Sequence, residues 1–168
     1  MLSRRTFLAA AAAVLTLSPA LAEDHPAQIH IHDAYARTMG GVGASGAVFF
    51  MVHNNATTDD RMIDARSDVA KMVQLHTHIM DDQGVMKMVH VEEGFALPAG
   101  AMHELKRGGD HVMLMGLQKD LKDGDSFPLT LVFESGAEVT LEVTVDNARM
   151  PATGDMGDMG DMNHGTGG

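Results

Sequence analysis

Ten histidines and 15 methionines stand against one tyrosine, no tryptophan and no cysteine in this chain of 168 residues. Thioether and imidazole without thiolate form a soft to intermediate donor set, which suits Cu(I) and can be adapted to Cu(II). Magnesium and calcium, which take oxygen ligands, would ignore it. Spacing sharpens the point, because His76 with His78, Met86 with Met88, and His111 with Met113 are all i, i+2 pairs. On a β-strand such residues share one face and sit ~6.6 Å apart along the backbone. A flexible methionine and a histidine can therefore converge on one ion between them. A methionine on a strand is usually core filler, and a lone histidine is usually satisfied or solvated. That bland reading suits Met51, Met62, Met72, Met102 and Met115 taken singly, and His25, His30, His32, His53, His90 and His103, although His30 and His32 share a face and could form an accessory site. It does not account for the three paired positions together with a Met-rich tail.

Positioning these pairs requires strands. Segments of alternating or apolar character recur at short intervals between Gly, Asp, Asn and Pro clusters, the pattern of an all-β sandwich or barrel. The predicted strands are Gln28–Arg37, Gly46–His53, Met62–Ser67, Val73–Met80, Val85–Val91, Ala101–Lys106, His111–Leu117, Leu129–Glu134 and Glu138–Val145. Asp81-Asp82-Gln83-Gly84 reads as a turn, so the strand through His76 and the strand through Met88 should be antiparallel neighbours. Ser135-Gly136-Ala137 reads as the turn of a closing hairpin. How the strand of His111 and Met113 joins the others is open at this level.

Three regions follow from composition. Residues 1–22 read as a signal peptide, with Arg4 and Arg5 before an apolar run and Ala20-Leu21-Ala22 as a small-residue cleavage pattern, so that the mature chain starts at Glu23. Ser3-Arg4-Arg5-Thr6-Phe7-Leu8 fits the twin-arginine type of export signal, the alternative being an ordinary secretory signal with two adjacent arginines. The uninterrupted apolar segment is shorter than the ~20 residues of a spanning helix, so no membrane span is expected in the mature form. Residues 23–146 are the expected folded domain. Residues 147–168 are Gly-rich with three successive Gly-Asp-Met units, and are expected to be a disordered tail. Met156, Met159, Met162 and His164 repeat soft ligands on that tail. A tethered cluster acts at an effective concentration on the order of mM, enough to complete a site or capture an ion; an inert terminus is the alternative.

Composition also excludes. The formal charge of −11 becomes −13 once Arg4 and Arg5 leave with the signal, which argues against nucleic acid or an anionic membrane as partner. The lack of cysteine removes zinc fingers, iron–sulfur clusters, thiol redox chemistry and the blue-copper site. No nucleophile elbow and no paired carboxylates mark an enzyme, so none is expected.

His76, then Gly84-Val85-Met86-Lys87-Met88, then Gly108-Gly109-Asp110-His111-Val112-Met113-Leu114-Met115 together resemble the signature of the PCu(A)C copper chaperones. The similarity runs from about Ile29 to Val145. It implies a cupredoxin-like β-sandwich binding copper through His76, Met88, His111 and Met113; from the residues' own spacing and chemistry, His78, Met86 and the tail residues Met156, Met159, Met162 and His164 are candidate accessory ligands. Eleven residues separate His76 from Met88 and twenty-two separate Met88 from His111, each one more than the usual family pattern. His78 stands where a methionine is frequent, which would favour Cu(II), and Arg107 where a proline often precedes the glycines. The resemblance further implies a periplasmic chaperone that carries copper to a respiratory enzyme such as cytochrome c oxidase or to an assembly factor. The alternative is a copper buffer or resistance protein without a dedicated recipient.

Overall fold

Residues 28–149 are described by the structure, a computed structural model. The expected signal segment and the Met-rich part of the expected tail, residues 150–168, lie outside the described residues, whereas the first residues of that tail are held to the domain: Asn147 Oδ1 accepts from the Thr38 N–H at 2.9 Å, and the Arg149 guanidinium lies over the Tyr35 ring. Ten strands are present: β1 Ile29–Thr38, β2 Ser45–Asn54, β3 Asp60–Arg66, β4 Ala70–Met80, β5 Met86–His90, β6 Phe95–Leu97, β7 Met102–Leu105, β8 His111–Leu117, β9 Ser126–Phe133 and β10 Glu138–Val145. Nine correspond to the strands expected from alternation. The unexpected one, β6, spans three residues between the turn at Gly94 and Pro98, too short for any periodicity to register.

Hydrogen bonding links the strands in the order β5-β4-β8-β2-β1-β10-β9-β3-β6, with β7 beside β2. All pairs are antiparallel except β1 with β10. The ribbon folds over so that its two halves share one core, in which Val48, Phe50, Leu75, Val112 and Leu114 of one half meet Met62, Leu97, Leu129, Leu131 and Phe133 of the other. Alternation accounts for the layers. Ala36, Val48, Val112 and Leu75 lie side by side across β1, β2, β8 and β4 and are all buried inward. Their sequence neighbours Tyr35, Phe49, His111 and His76 consequently belong to the outer face.

Two local features shape that outer face. At the β4–β5 turn the Asp81 carboxylate accepts from the backbone N–H of Gln83 and Val85 at 3.0 and 2.9 Å and pairs with Lys87 Nζ at 2.8 Å. Those contacts, led by Lys87, lower the Asp81 pKa. Gly84 takes the left-handed φ of 76° that closes the turn. Along β2, meanwhile, β7 and β8 occupy the same edge in succession. Leu105 pairs with Phe50 and Val112 with Val48, so residues 106–111 bulge from an edge where β2 supplies only Phe49 between its two paired residues.

Candidate metal centre

The β4–β5 hairpin turns about Gln83, which sets Met80 opposite Met86, His78 opposite Met88 and His76 opposite His90. On its other edge β4 pairs with β8, placing His76 opposite His111 and Gln74 opposite Met113. His76 is therefore the hub of the arrangement. Its ring lies 5.7 Å from that of His90 and 5.9 Å from that of His111, while the His78 ring is 5.2 Å from His111. Met88 and Met113 occupy the two diagonals of His76, on opposite sides of the histidine row. Diagonal neighbours are ~7–8 Å apart, within reach of long side chains. An ion above His76 is thus approachable by both thioethers, Met88 from the sheet edge at 45% exposure and Met113 from the half-buried side. Met86 lies one step further out, exposed at the hairpin end.

Hydrogen bonds assign the ring nitrogens. His111 is 1% exposed, and its Nδ1 lies 2.9 Å from the Gly109 carbonyl, to which it donates. Its Nε2 is then an unprotonated lone pair, buried and without a partner. His76 Nε2 donates to Gln74 Oε1 at 3.2 Å, leaving Nδ1 as a second buried nitrogen without a partner. His78 Nδ1 donates to the same Gly109 carbonyl at 3.2 Å. One carbonyl thus orients two imidazoles, the supporting arrangement typical of histidine ligands. The bulge presenting it is closed by a Gly109 N–H bond to the Lys106 carbonyl and a 2.9 Å contact between His103 Nε2 and Asp110 Oδ2. Phe49 flanks His111 at 6.2 Å. A buried nitrogen without a partner costs about 1–3 kcal/mol, and two of them on rings 5.9 Å apart mark a place for an electrophile.

Electrostatics agree. Burial, reinforced by the neighbouring His111, His90 and His78, pushes the His76 pKa below its ordinary 6.5. Burial also depresses His111, partly opposed by the Gly109 carbonyl and Asp110. Both rings stay neutral at neutral pH, the form that binds metal. In the unfolded chain they protonate near 6.5, so the unfolded state takes up more protons as pH falls below that value. Melts of the metal-free protein should therefore show a midpoint independent of these two rings above about pH 7, falling as the pH drops through 6.5 toward their lowered values. A flat midpoint across this range would contradict the depressed values. A metal ion bound at these two nitrogens would hold the midpoint to lower pH, because it would occupy the lone pairs that protons otherwise take.

His90 and Gln74 were not singled out from sequence, although counting outward from the Asp81–Gly84 turn would have paired His90 with His76. Nothing local signals the Gly109 carbonyl. Of the methionines read singly as filler, Met62 is fully buried, whereas Met72 and Met102 are exposed. Both sit on the outer face, while Leu75 and Leu105 on the same strands point inward and are buried. Met156, Met159, Met162 and His164 lie outside the described residues. Among the described residues no three His, Asp or Glu side chains already converge on one point.

The sequence profile of the LpqE-like family ("Putative lipoprotein LpqE-like") matches residues 29–145. This chain belongs to that family. The copper-bound PCuAC domain from PmoF2 superposes with a TM-score of 0.58 at 26% identity, covering 71% of this chain and 92% of that one. The Cu(I) form of DR1885 from Deinococcus radiodurans does so with a TM-score of 0.53 at 26% identity, covering 76% and 86%. "Putative lipoprotein Lxx21020" of Leifsonia xyli subsp. xyli is 31% identical over 117 residues, 70% of this chain and 69% of that protein. The resemblance to PCu(A)C domains read from the motifs holds, and so does the cupredoxin-like fold. The family is one of copper chaperones, not of enzymes. Its lipoprotein description is consistent with export. No helix among the described residues is long and apolar enough to cross a membrane.

Proposed function

We propose that this protein is a periplasmic copper chaperone that binds Cu(I) above His76, through His76 Nδ1, His111 Nε2 and the thioethers of Met88 and Met113. The observation that carries this reading is the pair of buried, partnerless nitrogens on directly paired residues of adjacent strands. Two imidazoles and two thioethers form a donor set soft enough for Cu(I), and His78, its ring 5.2 Å from that of His111, would substitute when Cu(II) is bound. Two solved relatives are described as copper-bound and as a Cu(I) form, which supports the choice of metal. Met88 on an edge strand, half exposed, gives the ion a route out toward a recipient. The recipient we propose is a copper site of cytochrome c oxidase or a factor that assembles it. Met86 at the hairpin end and Met156, Met159, Met162 and His164 of the tail would capture copper ahead of the main site.

The test is Cu(I) transfer from the loaded, mature chain to the soluble copper-accepting domain of the oxidase, compared with spontaneous release to a chelator. Transfer faster than release is expected. Equal rates would favour the alternative, a buffer that sequesters copper with no dedicated recipient. A version ending at Val145 should keep the tight site, leaving the tail accessory.

A further inference from the structure

A second group of metal-binding side chains occupies the far end of the same outer face. Strand pairing sets His30 of β1, His53 of β2 and Met102 of β7 in one row. The next row holds His32, Met51 and Glu104. All six share the outer face, because Ile29, Val52 and Leu105, which alternate with them, are buried inward. The His30 and His32 rings lie stacked 6.3 Å apart and 12° from parallel, one ring per row. Three strands thus contribute three imidazoles, two thioethers and a carboxylate to a patch two rows deep.

This group is separate from the centre at His76. His53 stands four residues along β2 from Phe49, the ring that flanks His111, or ~13 Å at strand spacing. No single ion spans that distance. The chemistry differs too: the first centre is anchored on the buried His111 and the half-buried His76 and balanced by thioethers, whereas His30 and His32 are exposed and imidazole is the leading donor. Imidazole-rich sites favour the borderline divalent ions, and copper heads their affinity order.

We infer that the outer face of β1, β2 and β7 is a second metal site, taking Cu(II) through His30, His32 and His53 with Met102 and Glu104 at its margin. Directly opposed residues have Cβ atoms ~4.5–5.5 Å apart, so His30 and His53 can reach a common ion by rotation about their side-chain bonds. Side-chain rotation is needed to close the site, since among the described residues no three His, Asp or Glu side chains are gathered at one point. The Glu104 carboxylate, now 3.5 Å from Lys106 Nζ, supplies negative charge for a dication. Its consequence would be a division of labour on one face, with Cu(II) collected at the exposed end and Cu(I) held at the buried end.

The site stands or falls apart from the chaperone reading. Full-length mature protein, with its His76 centre first filled with Cu(I), is titrated with Cu(II) glycinate while its amide resonances are followed. Paramagnetic broadening should appear first at Ile31, Val52 and Glu104, and should vanish in the His30→Gln/His53→Gln variant. That variant should keep its melting midpoint and its Cu(I) affinity, which separates this site from the other. Broadening centred on Leu75 and Val112 would overturn the proposal, as would broadening of β1 that persists in the variant. Zinc sulfate in place of Cu(II) should bind the same residues more weakly; zinc binding more tightly would overturn the assignment to copper.

Discussion

Replacing His111 by leucine should cost the protein its copper while leaving the fold intact. His111 is 1% exposed, a position where a polar side chain is ordinarily kept for stability. Its Nε2, however, has no partner, so the metal-free protein already carries the penalty of a buried unsatisfied nitrogen. Leucine removes that penalty and keeps apolar contact with Phe49. The Gly109 carbonyl loses one donor but retains His78 Nδ1. The net change in metal-free stability should stay within about 1 kcal/mol. Copper affinity should fall by more than ~100-fold, since even groups that merely support a ligand are worth ~10–100-fold. A thermal melt and a Cu(I) titration against a competing chelator read the two effects separately. Collapse of the fold together with the affinity would assign His111 to the core and undo the site.

The opposite pattern is expected for Phe50→Ala. Phe50 follows Phe49 on β2 and points the other way, into the shared core at 2% exposure. Truncating such a ring costs about 4 kcal/mol in lost burial and residual cavity. For a domain of this size the melting midpoint should drop by roughly 15 °C. Because β2 pairs with β1, β7 and β8, the loss falls on the strand that joins both clusters of the outer face. At temperatures where the variant remains folded, Cu(I) affinity should nonetheless be close to that of the parent, since no residue of the outer face has changed. A loss below 1 kcal/mol would mean that the two layers do not meet at Phe50. The two variants together separate stability, stored on the inner face, from binding, placed on the outer one.

Much of the fold was legible because strand alternation and turn chemistry are local signals. His111–Leu117 and Glu138–Val145 match the expected boundaries residue for residue, and the hairpin at Asp81–Gly84 pairs as its turn residues predict. β6 was missed because three residues carry no period. His90 reads on its own as a satisfied or solvated histidine, yet its ring lies beside His76. Read alone, a histidine has no address; read by its distance from a turn, it does. His30, His32 and His53 show the same limit, since the register joining β1 to β2 crosses a bulge between His32 and Tyr35 that no local pattern announces.

By itself, the sequence determined the donor chemistry, the all-β class, and which side chains share a strand face. Those properties depend on residue type and on a period of two, which act within a few residues. Only the tertiary structure decided that β4 lies against β8, so that His76 faces His111, and that residues 106–111 bulge to present the Gly109 carbonyl to two imidazoles. That pairing joins strands distant in the chain. It is selected by the collective burial of Leu75, Val112, Val48 and Ala36 on the inner face, a property of the whole core that no short segment contains. The proposed copper ligands are brought together as the outer counterpart of that burial.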